Sequence, residues 1–500
     1  MKFGLAVGSM LCAGALALAG CAGESGRADA EQGSGTVRVV MLGSDNESLD
    51  YGAAQSYFPW VVVGNVCDSL VIRKDGEATN VLADQVVPNA DASEWTITLH
   101  GEATFHSGDP VTADDVVASI RYFAESPGFG GFYSAVDVAG LKALDEHTVS
   151  VPLRTPRTDF VEAVLSAASV VYQDGKGATD DPSCSGPFTL DSYSSGTGAV
   201  LTRFDGYWGR PATLERIEVR KLNDPTARVN ALVSGEADYA FDIPSSTAST
   251  VTGTRGVRVV ESGVANGGAF YFALNTRVAP FDDPDVRRAL KLVVDRRQLV
   301  DVIFGDYGEV GNDLFGKGLP GYADDIEQRE RDVDEARGIL RAAGVSELSI
   351  TVSEVTPGLT DSADLLVRQL ADVGVTVTVN EVDPSGFFTD LDGLHRAQMI
   401  AMYAVNQPPM AGLDTWYGAD NPYAHTGWHP ERFTELVSTA RTSTDEATRT
   451  QAVEQLQRLQ RDDGGYLIWG YRQQLSGAVE GLHGVVLNQG TPLFGSASRG

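Results

Sequence analysis

Residues 403–428, YAVNQPPMAGLDTWYGADNPYAHTGW, gather tyrosine, tryptophan, asparagine, aspartate and histidine among prolines and glycines, with little periodicity. That composition reads as a loop. A loop presenting aromatic rings and amides can stack on a small ligand and hydrogen-bond it. Taken singly, each ring suits a packed core better. His425 and His429 stand four apart, the spacing at which two imidazoles on one helix share a metal ion. Gly427 between them and Pro430 beyond argue for loop geometry, which favours surface histidines over a metal site.

Covalent chemistry leaves no comparable mark. The chain has no G-x-S-x-G elbow and no H-E-x-x-H helix. Its paired acids Asp114-Asp115 and Asp282-Asp283 fall at helix starts, where negative side chains complement the helix dipole. No catalytic residue, no cofactor and no enzymatic activity are expected.

The elements that must hold such a loop are legible from local pattern. Trp95, Ile97 and Leu99 alternate with polar neighbours as in a half-buried strand. Gly108-Asp109-Pro110 then turns the chain, and Thr112 caps a helix. Residues 36–42, 148–153, 199–203, 214–219 and 270–276 read as strands, and residues 159–171 as an apolar helix. Asp224-Pro225 and Asp283-Pro284 each combine an N-cap with proline at the first helical position. Residues 348–354, 361–370 and 375–382 spell strand, helix and strand, a parallel unit with a right-handed crossover. Residues 466–471 and 478–482 close the fold as strands.

Three blocks of this pattern, W-x-I-x-L with F-H-S-G-D-P-V-T-A-D-D-V, then GPF, YW and NDPTARVNALVSGEAD, then F-x-L-N-T with P-F-D-D-P-D-V-R-R-A-L and D-R-x-x-L-V, occur in order. Together they resemble the family 5 extracellular solute-binding proteins, the peptide, nickel and oligosaccharide receptors of bacterial ABC importers. The resemblance implies an α/β, two-lobed periplasmic-binding-protein fold (type II, cluster C-like) with a hinge. Lobe I would comprise residues 36–268 plus 474–500, with an extra subdomain inserted at about 57–181, and lobe II residues 269–473. It also implies a monomer that closes on a solute, most simply a peptide, and delivers it to a permease and ATPase complex. By family position the ligand candidates are Tyr403, Asn406, Trp416 and Tyr417. The peptide-binding branch carries an aspartate just before this stretch to hold the ligand's ammonium; here Ala404-Val405 occupy that place, and Asp414 is the candidate substitute. Nickel receptors of the family set a histidine against a chelated metal, so a metal chelate, like an oligosaccharide, remains an alternative ligand. The rival classes are a lipid-anchored secreted hydrolase and the ligand-binding subunit of a sensor.

The N-terminus carries its own signal. Lys2, an apolar run over residues 5–18 and Leu18-Ala19-Gly20-Cys21 form a lipoprotein signal peptide (1–20), with Cys21 the lipidation site. The run is shorter than the roughly 20 residues that span a bilayer. Residues 21–35 are a small, polar tether with a reach on the order of 20 Å. With Cys12 removed and Cys21 acylated, Cys67 and Cys184 remain, forming one disulfide in an oxidising compartment or standing as two buried thiols. Neither lies in a zinc-binding pattern. Five hundred residues at 42% hydrophobic composition support about two to four domains. A formal charge of −30, spread along the chain, excludes nucleic-acid binding because phosphates are repelled.

Overall fold

The computed structural model describes residues 35–44, 47–54, 56–383, 387, 391–418, 421 and 423–500. The signal peptide, the tether and Cys21 lie outside the described residues. The first lobe is built on a seven-stranded sheet. Thr36–Met41 runs parallel to Arg216–Lys221 on one side and to Tyr239–Ala240 on the other. Gly198–Arg203 and Phe188–Ser194 extend one edge antiparallel, and Leu475–Val479 with Val257–Glu261 extends the other. Val37, Val39, Val40 and Met41 are fully buried, as a strand covered on both faces requires.

The WTITL segment lies in a separate four-stranded sheet, in Glu94–Leu99, between Ala83–Pro88 and Thr148–Pro152. Trp95, Ile97 and Leu99 point inward, in the expected alternation. The helix that follows is Ala113–Glu125. Its Asp115 carboxylate accepts from the Thr112 N–H at 2.9 Å and from the Thr112 hydroxyl at 2.6 Å. This sheet and helix share one continuous hydrophobic core with the seven-stranded sheet. Residues 159–171 depart from the expected long helix: only Val161–Leu165 is helical. From residue 163 on the run is buried at every position, so no polar face sets a helical period, and its backbone bonds reach outward instead. Ser169 O accepts from Leu70 N at 2.8 Å, and Val171 N donates to Asp68 O at 3.0 Å.

The second lobe is a six-stranded sheet centred on Gly268–Leu274 between Met399–Val405 and Tyr466–Arg472. Successive side chains of GAFYFAL serve different cores. Phe270, Phe272 and Leu274 pack with Trp469, whereas Tyr271 and Ala273 pack with Phe315 and Tyr466. Glu347–Val352 lies parallel to Thr376–Glu381, joined by the helix Leu359–Ala371.

The chain crosses between the lobes twice, after Val257–Glu261 and again between Tyr466–Arg472 and Leu475–Val479. The crossings touch. Ser262 N donates to Gln474 O at 3.1 Å, and Gln474 N donates to Ser262 Oγ at 2.9 Å. At Gly267 a Cβ would lie 2.0 Å from the Arg472 carbonyl oxygen, so only glycine permits this approach. Cys67 and Cys184 are joined by a disulfide with a Cα–Cα distance of 4.7 Å, closing a loop of sequence separation 117. Replacing both cysteines by serine is expected to cost about 2–5 kcal/mol, read from denaturant unfolding of the non-reduced chain; an unchanged midpoint contradicts this.

Candidate functional site

Residues 403–428 are less of a loop than their composition suggests. Tyr403 belongs to Met399–Val405, a strand paired on both edges, and Asp414, Trp416 and Tyr417 sit on the short helix Leu413–Tyr417. Sheet pairing and burial override the weak local signal here. Asn406 is a brace. Its Nδ2 donates to Val264 O at 3.0 Å and Lys317 O at 2.8 Å, and its Oδ1 accepts from Gly316 N at 3.1 Å, which leaves no donor for a ligand. Just beyond it, Ala411 packs into the core of the first lobe, so this segment reaches across from one lobe to the other.

Trp416, Tyr417 and His429 meet at one cavity of about 440 Å³, which Arg277, His395 and Trp428 also line. Trp416 stacks on Phe315 at 5.3 Å, and its indole N–H is buried without a partner, as is Gln407 Oε1. Both atoms flank Gly412, where a Cβ would lie 2.8 Å from Trp416 Nε1 and 3.9 Å from Gln407 Oε1. His425 is buried beside this cavity rather than on the surface, with neither ring nitrogen hydrogen-bonded. Burial first, then the neighbouring His395 and Arg277, push its pKa down to about 4. His429 is committed at both nitrogens, to Tyr417 O and Thr434 Oγ1, each at 3.1 Å. Among the described residues no group of three or more metal-ligating side chains assembles.

Asp414 bridges the lobes. It pairs with Arg157 of the first lobe at 2.9 Å and with Arg441 of the second at 2.8 Å. Arg157, 3% exposed, is also held by both oxygens of Asp159, at 2.9 and 2.8 Å. Thr158 N donates to the Arg441 carbonyl at 2.9 Å. Burial opposes both charges, but Asp159 and Asp414 outweigh it and hold the guanidinium charged. Burial likewise works against the Asp159 carboxylate, and Arg157 more than offsets it, keeping its pKa below the usual range. Near the crossings a second group gathers: Tyr57, Phe241 and Asp242 of the first lobe with Phe270, Tyr403 and Arg472 of the second. Arg157, Tyr57, Asp242 and Arg472 escape sequence reasoning because their partners across the fold, Asp414 for Arg157, Phe241 for Tyr57 and each other for Asp242 and Arg472, lie far away along the chain. The one local hint is a charged residue, Asp242, two positions after the strand Tyr239–Ala240.

Residues 77–424 match the sequence family described as bacterial extracellular solute-binding proteins, family 5 Middle. The chain belongs to that family. It is 25% identical over 423 residues, 81% of each chain, to the glutathione-binding protein GsiB of Salmonella paratyphi A. It superposes with a TM-score of 0.81 on the ABC transporter substrate-binding protein CtaP of Listeria monocytogenes, at 19% identity, covering 93% of this chain and 99% of that one. The corresponding figures for the periplasmic binding protein DppA of Helicobacter pylori, solved with the peptide STSA, are 0.77, 20%, 93% and 98%. The two-lobed α/β fold is that of periplasmic binding proteins, and an extracytoplasmic location follows from the family. Among the described residues no helix is long and apolar enough to cross a membrane.

In a family 5 protein, contacts that link the lobes set the balance between open and closed forms. Arg157→Ala strands Asp159 in a buried site and is expected to cost about 3–5 kcal/mol in denaturant unfolding. Arg157→Lys should recover little, because a single ammonium cannot replace the guanidinium fork. His425 gives a pH signature of its own. Its folded pKa lies below its unfolded one, so the neutral ring is favoured and stability falls as pH drops from about 6.5 towards about 4. The full contribution is about 3 kcal/mol. His425→Phe should flatten the stability profile across that window; an unchanged profile refutes the assignment.

Proposed function

We propose that this chain is the receptor of an ABC importer, capturing a peptide or peptide-like solute between its lobes and presenting the closed form to a permease and ATPase complex. One observation carries the mechanism: residues 403–417 contact both lobes at once, through Ala411 in the first lobe's core and Asp414 on Arg157. A ligand that touches both sides favours the closed state over the open one, and no covalent step is needed. The glutathione-binding relative and the peptide-bound DppA support a peptide-type solute. Lobe I is assigned to 36–268 plus 474–500, with the subdomain at about 57–181, and lobe II to 269–473. The chain acts as a monomer without cofactor or catalytic activity, and a lipid on Cys21 tethers it to the outer face of the cytoplasmic membrane. Tyr403, near the crossings, is the aromatic contact assigned to a ligand held between the lobes, whereas Trp416 and Tyr417 line a cavity formed by second-lobe residues.

A thermal-unfolding screen of peptides, nickel chelates and oligosaccharides tests the reading. A peptide-type ligand at about one hundred times its Kd should stabilise the chain by about 2.7 kcal/mol. Stabilisation by a chelate or a sugar alone, or turnover of any bound solute, overturns it. Palmitate labelling in the host should be lost in Cys21→Ala.

A further inference from the structure

The charges that link the lobes around Arg157 are tightly paired. Arg157 holds Asp159 at 2.8 Å and Asp414 at 2.9 Å, and Arg441 adds a contact to Asp414 at 2.8 Å. Asp242 and Arg472 differ. They face each other across the lobes at 3.9 Å, beyond hydrogen-bond distance, and keep 33% and 23% of their side chains exposed. Neither charged group makes a side-chain hydrogen bond with another described residue; Arg472 rests only over the Phe270 ring, at 5.5 Å. A partly exposed carboxylate and guanidinium with no protein hydrogen-bond partner can exchange solvent for the groups of a ligand.

The surroundings are built to hold them. The Asp242 backbone takes a left-handed φ of +49°, which a short polar side chain tolerates. Its carbonyl accepts from the buried Arg228 at 2.8 Å, and Arg228 also binds the Leu222 and Asn223 carbonyls, both at 3.0 Å. Tyr57 packs on Phe241 at 5.1 Å from one side, and Tyr403 on Phe270 at 6.0 Å from the other. These rings flank the pair on its two lobes without closing it off from solvent. Ala404 and Val405, next to Tyr403, bring no charge of their own.

We infer that Asp242 and Arg472 are the specificity-determining pair of the ligand site, together binding an α-amino-acid head group. Asp242 receives its ammonium from the first lobe and Arg472 receives its carboxylate, in fork geometry, from the second. Two opposite protein charges this close match a ligand that carries both its charges on one carbon. They do not match a linear peptide, whose ammonium and carboxylate stand at opposite ends. The inference rests on the receptor reading above and sharpens its ligand class to free amino acids and side-chain-linked peptides.

Three probes of nearly equal size separate the possibilities by isothermal calorimetry on the soluble chain. Glutathione keeps ammonium and carboxylate on one carbon of its γ-linked glutamate, α-linked Glu-Cys-Gly does not, and N-acetylglutathione lacks the ammonium. Glutathione should bind about tenfold or more tighter than either of the others. Asp242→Asn, whose side chain tolerates the same backbone, and Arg472→Gln should each lose about tenfold for glutathione while their unfolding midpoints stay close to the parent's. Arg472→Lys should recover only part of the loss. Equal binding of all three probes, preference for the α-linked peptide, no binding of glutathione, or variants that bind like the parent each overturn the head-group assignment. The receptor reading fails by a different result, namely that no solute of any class stabilises the chain.

Discussion

Ser262 and Gln474 exchange two hydrogen bonds where the chain leaves one lobe for the other and returns, and this narrow double bridge limits what the lobes can do relative to each other. Each sheet is completed by residues from both sides of the crossings. Leu475–Val479 is an inner strand of the first sheet, and Tyr466–Arg472, a few residues earlier, is an inner strand of the second. A shift at the bridge therefore moves whole sheets, because close-packed cores yield little. Gly267 shows how tight the junction is, since any side chain there would collide with the Arg472 carbonyl. The same residue whose backbone seals the bridge carries the guanidinium that faces Asp242. Ligand contact and hinge position thus share one short segment, and a solute held at Arg472 acts directly where the lobes turn.

Two kinds of charge pairing link the lobes, and they serve different ends. In the Arg157 circuit each buried charge has short-range opposite neighbours, so desolvation is offset locally and breaking one member is expensive. Such a circuit suits a contact that forms as a unit when the lobes meet. The Asp242–Arg472 pair is looser and wetter, so exchanging its mutual attraction for two ligand contacts leaves no charge stranded. The first arrangement favours closure whether or not a ligand is present. The second makes closure better with the right ligand than without it, which is the differential a receptor needs.

The legible parts of this fold are those whose causes are local. Trp95, Ile97 and Leu99 announce a strand because each answers to its own neighbours, and Asp224 and Asp283 announce helices because a carboxylate caps an amide two or three residues on. Residues 159–171 misled for the converse reason: from residue 163 on every position is buried, so no polar face marks a period, and the backbone partners lie near residue 70. Within residues 403–428 the loop reading holds except at Tyr403–Val405, the end of a strand specified by Gly268–Leu274 far away in sequence, and at the short helix Leu413–Tyr417. Within the candidate site, Trp416, Tyr417 and His429 do converge on one cavity, whereas Asn406 turned out to brace a turn and Asp414 to join the lobes. Composition alone does not tell which side chains of this region are already spent on the protein's own contacts.

The overall acidity of the chain bears on what can enter. A surface with a formal charge of −30 repels free anions at long range, although salt screens this beyond about 10 Å at 0.1 M. A zwitterion feels little of that net field, and its two charges are sorted only at short range, where Asp242 and Arg472 orient it. A simple anion meets the opposite balance: attraction to Arg472 is offset by Asp242 within 3.9 Å and by the surrounding surface. An uncharged sugar forgoes both contacts. The field of the whole molecule and the geometry of one ion pair therefore select in the same direction, towards a compact solute with balanced charge.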